Sequence, residues 1–268
     1  MKTITDTRVL IREPFDRYLS QSREHLASHA LADFRKSPRL YHDKQLGLIP
    51  DEDRPAFVVG RAAHTLILEG PETFEKAYAV GGPVNDKTGK PYGANTKAFA
   101  EWASAQGKPV LTEANFDLVT HLAAGVREHE AATELLDGII AEGVVRTDYC
   151  GVPCQIRMDG FSPARGIVDL KTTDDLNYFE SDARRYGYSH QMAFYRAVLA
   201  IALGEALPVH MIAVEKKPPF RCGVWRMGTD LLGVAQKENE QAIKRLKKCR
   251  ETDTWPTGFE AIREFDYL

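Results

Sequence analysis

Cysteine is scarce in this chain: Cys150, Cys154, Cys222 and Cys249 are its only four. That is too few for a disulfide framework, and no C-x-x-C pair suggests zinc. Cys150 and Cys154 flank a Gly-Val-Pro turn across which they can face each other. The expected state is nevertheless a set of reduced thiols. Charge of one sign is also lacking: 35 Lys and Arg against 38 Asp and Glu leave a net −3. This excludes a polybasic nucleic-acid binder as a whole-molecule description, but not a local basic groove. The longest apolar run, around Ala197–Leu203, falls far short of the roughly 20 residues a membrane helix needs. Met1-Lys2-Thr3-Ile4-Thr5-Asp6 carries no apolar signal core, so a cytoplasmic protein with no membrane partner is expected. Repeats and low-complexity tracts are missing too, which argues against a solenoid.

What is present is ordinary globular material, 43% hydrophobic and 27% charged, enough for a core without staples. No linker demands a second domain. The expectation is one domain over 1–268, with a helical part to about 140, a core over about 141–228, and a C-terminal helix and tail over 229–268. Helical periodicity covers Glu24–Lys36, ended by Pro38, then Phe57–Leu68, Thr96–Gln106 and Glu113 to about Leu136. From Ala141 the texture changes to short β-rich runs at Val144–Tyr149, Cys154–Gly160 and Gly166–Thr172. A helix at Ser189–Leu203, strands at Val209–Val214 and Gly223–Met227, and a long polar helix at Asp230–Arg250 follow. The class is α/β or α+β, a sheet wrapped by helices.

Chemistry concentrates between Arg157 and Thr173. Ser162-Pro163-Ala164-Arg165-Gly166 is turn chemistry, so the flanking runs should form a hairpin. A hairpin centred near Ala164 sets Asp159 beside Asp169 on adjacent strands. Alternation then turns Val168 and Leu170 to one face, and Asp169 and Lys171 to the other. Two readings fit. One is a surface hairpin with an Asp–Lys ion pair of little energetic weight. The other is a Mg²⁺ site, since a hard cation relieves the repulsion of paired carboxylates and Lys171 can orient a water or neutralise phosphate charge. His64, in Gly60-Arg61-Ala62-Ala63-His64, sits on a helix otherwise built from apolar residues including Phe57. It reads either as a hydrogen-bonded core histidine or as a metal ligand. Gln191 and Tyr195 lie one turn apart and share a helix face.

An acidic strand residue, then Asp169-Leu170-Lys171, then Gln191-x-x-x-Tyr195 on the following helix together resemble the PD-(D/E)xK nuclease superfamily. With the upstream Gly60-x-x-x-His64, the pattern resembles its RecB-like branch. It is most similar to the RecE-type (exonuclease VIII) nuclease domains of phages and prophages. The resemblance spans nearly the whole chain, from Leu31-Ala32-Asp33-Phe34 to Thr254-Trp255-Pro256. It implies a restriction-endonuclease-like core, a central mixed sheet flanked by helices, with an N-terminal helical extension. It makes His64, Asp159, Asp169 and the Leu170 carbonyl ligands to one or two Mg²⁺ or Mn²⁺ ions. Lys171 becomes the catalytic lysine, with Gln191 and Tyr195 lining the cleft. Glu142 is a weaker carry-over, where some relatives place a further acid. Met158 stands where the family usually has Pro, and Asp169 where Glu is commoner. The implied activity is 5′→3′ digestion of one strand of linear duplex DNA, releasing 5′-mononucleotides and leaving 3′ overhangs. The implied partners are a single-strand annealing protein of the RecT type and copies of the chain itself in a ring tetramer. Competing readings are a RecB-like nuclease of other polarity or single-strand preference, and a catalytically silent DNA-end scaffold.

Basic clusters occur at Arg35-Lys36 with Arg39, at Arg184-Arg185, at Lys216-Lys217 and across Lys244–Arg250. The last reads as a solvated helix end. The loop bearing Lys87 and Lys90, together with Lys97 beyond it, is the preferred DNA contact, as a long flexible segment able to follow a backbone. Thr88-Gly89-Lys90 is no phosphate loop, because Pro91 stands where Ser or Thr is needed. Cys150 and Cys154 lie inside the hairpin region, away from the domain ends where related nucleases carry iron–sulfur cysteines.

Overall fold

The structure, a computed structural model, describes residues 9–50 and 55–264. Met1–Asp6 and the Phe57 side chain lie outside the described residues. In chain order the helices and strands are α1 (Phe15–Ser20), α2 (Ser28–Lys36), α3 (Pro38–Gln45), α4 (Pro55–His64), α5 (Pro71–Ala77), β1 (Ala79–Val80), α6 (Lys97–Ala105), β2 (Val110–Leu111), α7 (Glu113–Arg127) and α8 (Glu130–Leu136). The second half adds β3 (Ile140–Tyr149), β4 (Val152–Ser162), β5 (Gly166–Thr173), α9 (Phe179–Arg185), α10 (Tyr188–Leu203), β6 (Val209–Glu215), β7 (Cys222–Arg226) and α11 (Thr229–Thr252).

The central sheet has the order β3-β4-β5-β6-β7. It is mixed: β5 and β6 run parallel, connected through α9 and α10, and every other neighbouring pair is antiparallel. Helices cover both faces, as the α/β expectation requires. On one face α2, α10 and α11 pack over Ile156, Met158, Ile167 and Met211. On the other, α4, α7 and α8 enclose Val168, Leu170, Ile212 and Val214. Among the described residues, no helix is long and apolar enough to cross a membrane, and Cys150, Cys154, Cys222 and Cys249 are free thiols.

Several helix limits differ from the periodicity. The helix expected from Glu24 starts at Ser28, because Leu26 is claimed by the sheet. Its N–H donates to the Pro153 carbonyl at 2.8 Å, and its carbonyl accepts from Gln155 N–H at 3.0 Å. Pro38 does not simply end a helix; it opens α3, where its missing N–H costs nothing, with the Ser37 hydroxyl capping Leu40. The run Glu113–Leu136 is broken after Arg127, where His129 caps a new helix through Nδ1. Past His64 the apolar helix widens into a π-helical turn, Thr65–Glu69, a distortion that recurs at functional sites. Helices α3, α5 and α9 were not legible as separate elements, being too short for periodicity to declare.

Candidate active site

The β4–β5 ladder pairs Gly160 with Val168, Phe161 with Ile167 and Ser162 with Gly166, the register expected from the turn. One position further, Asp159 bends its carboxylate onto the Leu170 backbone, where Oδ2 accepts the N–H at 2.8 Å. In an extended strand a residue's N–H and C=O point to the same edge. The Leu170 carbonyl therefore also opens toward Asp159. Alternation on β5 holds as read: Val168 and Leu170 enter the α4–α7 core, while Ile167 enters the opposite one. Asp169 and Lys171, in step with Ile167, lie under α10.

The surface-hairpin reading fails on burial, since Asp169 is 1% exposed. Lys171 Nζ approaches Asp169 Oδ2 to 2.6 Å and sits 5.1 Å from the centre of the Tyr188 ring. Burial alone would lower the Lys171 pKa. The Asp169 and Asp159 carboxylates outweigh it, so the ammonium is held charged. Burial raises the Asp169 pKa against the opposing pull of Lys171.

Strand β4 changes step beside Asp159. Met158 and Phe161 both enter the same core, so the two-residue alternation breaks between them. Across the break, on β3, Glu142 adopts a left-handed φ of 56°. The ladder skips Glu142 and Asp159 while pairing Ala141 with Gly160 and Gly143 with Met158. Breaks of this kind re-aim side chains near active sites. Here the result is a cluster in which ligand atoms of His64, Glu142 and Asp159 all lie within 4.8 Å of one another. His64 Nδ1 stands 3.5 Å from Asp159 Oδ2, and Arg157 Nε donates to Glu142 Oε2 at 2.5 Å. Burial first, then the Asp159 charge, push the Glu142 pKa up to about 7.

Of the expected ligand set, His64 and Asp159 thus come together with Glu142, the weak carry-over, while Asp169 stands outside that trio, paired to Lys171. The arrangement suits a divalent cation. One imidazole and two carboxylates converge, and apart from the Lys171 ion pair at Oδ2 the buried Asp169 oxygens have no hydrogen-bond partner among the described residues.

The cluster lines a cavity of about 420 Å³ that also touches Phe15, Tyr18, Arg61, Glu69 and Tyr195. Gln191 Nε2 donates to Tyr195 Oη at 3.4 Å, and burial raises the Tyr195 pKa, keeping the phenol protonated. Sequence reasoning missed Arg157, Glu69 and Tyr188. Only a basic residue two before Asp159, an acid at the end of the apolar helix, and an aromatic one turn before Gln191 hinted at them. Backbone hydrogen bonds close the loop that bears Lys87 and Lys90. Asn85 N–H donates to the Lys90 carbonyl at 2.9 Å, and Tyr92 N–H to Pro83 at 2.9 Å, folding it back on itself. Lys97 lies on α6, 3.6 Å from Glu101. None of Lys87, Lys90 and Lys97 lines the cavity.

Among solved structures, the chain is similar to "Putative exonuclease" from Eubacterium rectale, with 17% identity, a TM-score of 0.69, and coverage of 96% of this chain and 97% of that one. At this identity the likeness speaks for the fold alone. A match to LHK-Exo in complex with dAMP, with 12% identity over 75% of this chain and 98% of that one and a TM-score of 0.30, is too remote to carry an argument. No curated protein matches the chain. The family model described as "PDDEXK-like domain of unknown function (DUF3799)" matches residues 27–265. That match takes in the paired strands, the imidazole helix and the lysine alike, and the chain belongs to this PDDEXK-like family.

Proposed function

We propose that this PDDEXK-like nuclease domain is a metal-dependent 5′→3′ exodeoxyribonuclease. It removes 5′-mononucleotides from one strand of linear duplex DNA and leaves 3′ overhangs for strand annealing. The observation that carries the reading is the convergence of His64, Glu142 and Asp159 beside a buried Asp169–Lys171 pair. One or two Mg²⁺ or Mn²⁺ ions held by His64, Glu142, Asp159, Asp169 and the Leu170 carbonyl would supply Lewis acidity at the scissile phosphate.

The remaining roles belong to the chain. Asp169 pins the Lys171 ammonium, and Lys171 orients the attacking water and offsets charge building on the phosphate. The Gln191–Tyr195 pair holds the phosphate or braces Lys171, with Tyr195 donating as a neutral phenol. Arg157 restrains the Glu142 carboxylate. A RecT-type annealing partner and a ring of identical subunits belong to the same proposal, on resemblance alone. The Lys87, Lys90 and Lys97 contacts to DNA remain part of it as the outer electrostatic surface.

The test is digestion of blunt linear duplex labelled at either the 5′ or the 3′ end, in Mg²⁺ and in Mn²⁺. Early release of the 5′ label as mononucleotide is expected, with closed circular duplex left intact. Release from the 3′ end alone would overturn the polarity. Equal cutting of circles would make the protein an endonuclease, and inertness in both metals would leave a scaffold.

A further inference from the structure

A second groove adjoins the catalytic cavity. It measures about 750 Å³ and is lined by Arg35, Lys36, Lys44, Tyr186, Tyr188 and Gln191 among others. His29 lines both spaces, and the hydrogen-bonded Gln191–Tyr195 pair contributes one residue to each. The two therefore lie side by side along α2 and the start of α10, with His29 as their common wall residue.

Two residues of its wall, Tyr188 and Tyr186, join a chain of ring and cation contacts that runs behind it. Lys171 Nζ lies over the Tyr188 ring. That ring is 5.9 Å, centre to centre, from Tyr186, and the Arg185 guanidinium is 5.5 Å from the Tyr186 ring. The turn between α9 and α10 explains how both rings stand together. Gly187 takes φ 72°, a conformation glycine adopts freely, and so reverses the chain between the two tyrosines. Tyr186 is left 59% exposed, although burying an aromatic ring is favourable. Lys36 is exposed as well. Among the described residues of this wall the one acid is Asp33, and Lys44 neutralises it at 2.9 Å.

An open aromatic face, here Tyr186, flanked by exposed cations is the chemistry of unpaired nucleotides. Every base offers a π-face, whereas in a duplex those faces are already stacked, and the cations follow the phosphates. We infer that this groove is a track for single-stranded DNA leading into the catalytic cavity, with Tyr186 as its base-stacking platform and Lys36 as a phosphate contact. The inference rests on the nuclease reading for its substrate, but its test does not need cleavage.

The measurement is fluorescence anisotropy of the full chain with labelled oligothymidylate of ~12 nucleotides, in EDTA so that no strand is cut. Tyr186→Ala should weaken binding by about tenfold, the loss expected of one stacked base. Tyr186→Phe should stay within about twofold, since the face and not the hydroxyl does the work. Lys36→Ala should lower the steepness of the salt dependence by about one phosphate contact. A 2-aminopurine placed in the oligonucleotide should be quenched by wild-type protein and not by Tyr186→Ala. Unchanged affinity in Tyr186→Ala, or an equal loss on blunt duplex of the same length, would overturn the track. Should no metal-dependent hydrolysis be found while Tyr186-dependent binding persists, the nuclease reading falls and the track stands. Lys171-dependent hydrolysis with Tyr186-independent binding would leave the nuclease standing and remove the track.

Discussion

Lys171 and Asp169 depend on each other. A carboxylate 1% exposed cannot stay ionised without a cation nearby, and Lys171 supplies that charge from 2.6 Å. Lys171→Ala should therefore do two things. It should cut the nuclease turnover by about a hundredfold or more, and it should strand Asp169, lowering the thermal midpoint. Asp169→Ala should lose activity on the same scale while the fold, followed by circular dichroism, persists. Wild-type turnover in either variant would remove the assignment. Glu142 makes a separate point. Its left-handed φ is strain that the local sequence does not explain and the cluster does. Calorimetric titration with Mn²⁺ should show Glu142→Gln and His64→Ala each binding about tenfold more weakly or worse, since even outer-sphere losses reach that size. Unchanged affinity in both would place the ion elsewhere.

Among the elements, the segment before α2 decides the shape of the cavity. Ile11 exchanges backbone hydrogen bonds with Val144 on the outer strand, at 2.8 and 3.0 Å. Glu13 forms an ion pair with Arg146, its side chain only 4% exposed. Arg146 also donates to Gln155 at 3.2 Å, and Gln155, fully buried, donates to the Tyr18 carbonyl at 3.2 Å. These bonds press α1 onto the sheet and bring Phe15 and Tyr18 to the cavity wall. Arg146→Ala should cost about 1.5 kcal/mol in chemical denaturation, the scale of a hydrogen bond to a charged group, since Arg17 stays 3.5 Å from Glu13.

The hydrogen bond and charge of Arg146 hold the Glu13 carboxyl below its ordinary range. Stability from this pair is therefore present above about pH 4.5 and lost as pH falls through the lowered folded value. Melting curves between pH 6 and pH 3 should drop less steeply for Arg146→Ala than for wild type. Parallel curves would show that the pair is not coupled to folding. The β4–β5 turn is equally exacting: at Gly166, with φ 86°, a Cβ would lie 2.1 Å from the Pro208 carbonyl oxygen. No other residue fits without moving the β6 entry.

For the whole molecule, a net charge of −3 means that the proposed binding to DNA would have to come from local fields. Affinity for duplex should fall linearly in log–log coordinates as salt rises, with a slope near −0.9 per phosphate neutralised; a flat response would remove DNA as the substrate. The amino-acid sequence alone determined the strand that presents Asp169 and Lys171. A two-residue period admits one assignment of faces once Val168 and Leu170 are apolar, and the Ser162–Gly166 turn sets the register. The helix bearing His64 and the Gln191–Tyr195 face were legible for the same reason, a short repeat distance. What lay beyond reach was everything made by neighbours distant in the chain. Glu142 enters the cluster through a break between two strands. Tyr186 and Tyr188 gain meaning from a glycine reversal beside a groove, and Leu26 leaves its helix for a sheet edge. Local pattern reports which way a side chain points along its own element. Which other side chains it meets depends on long-range packing, and only the tertiary structure decided that.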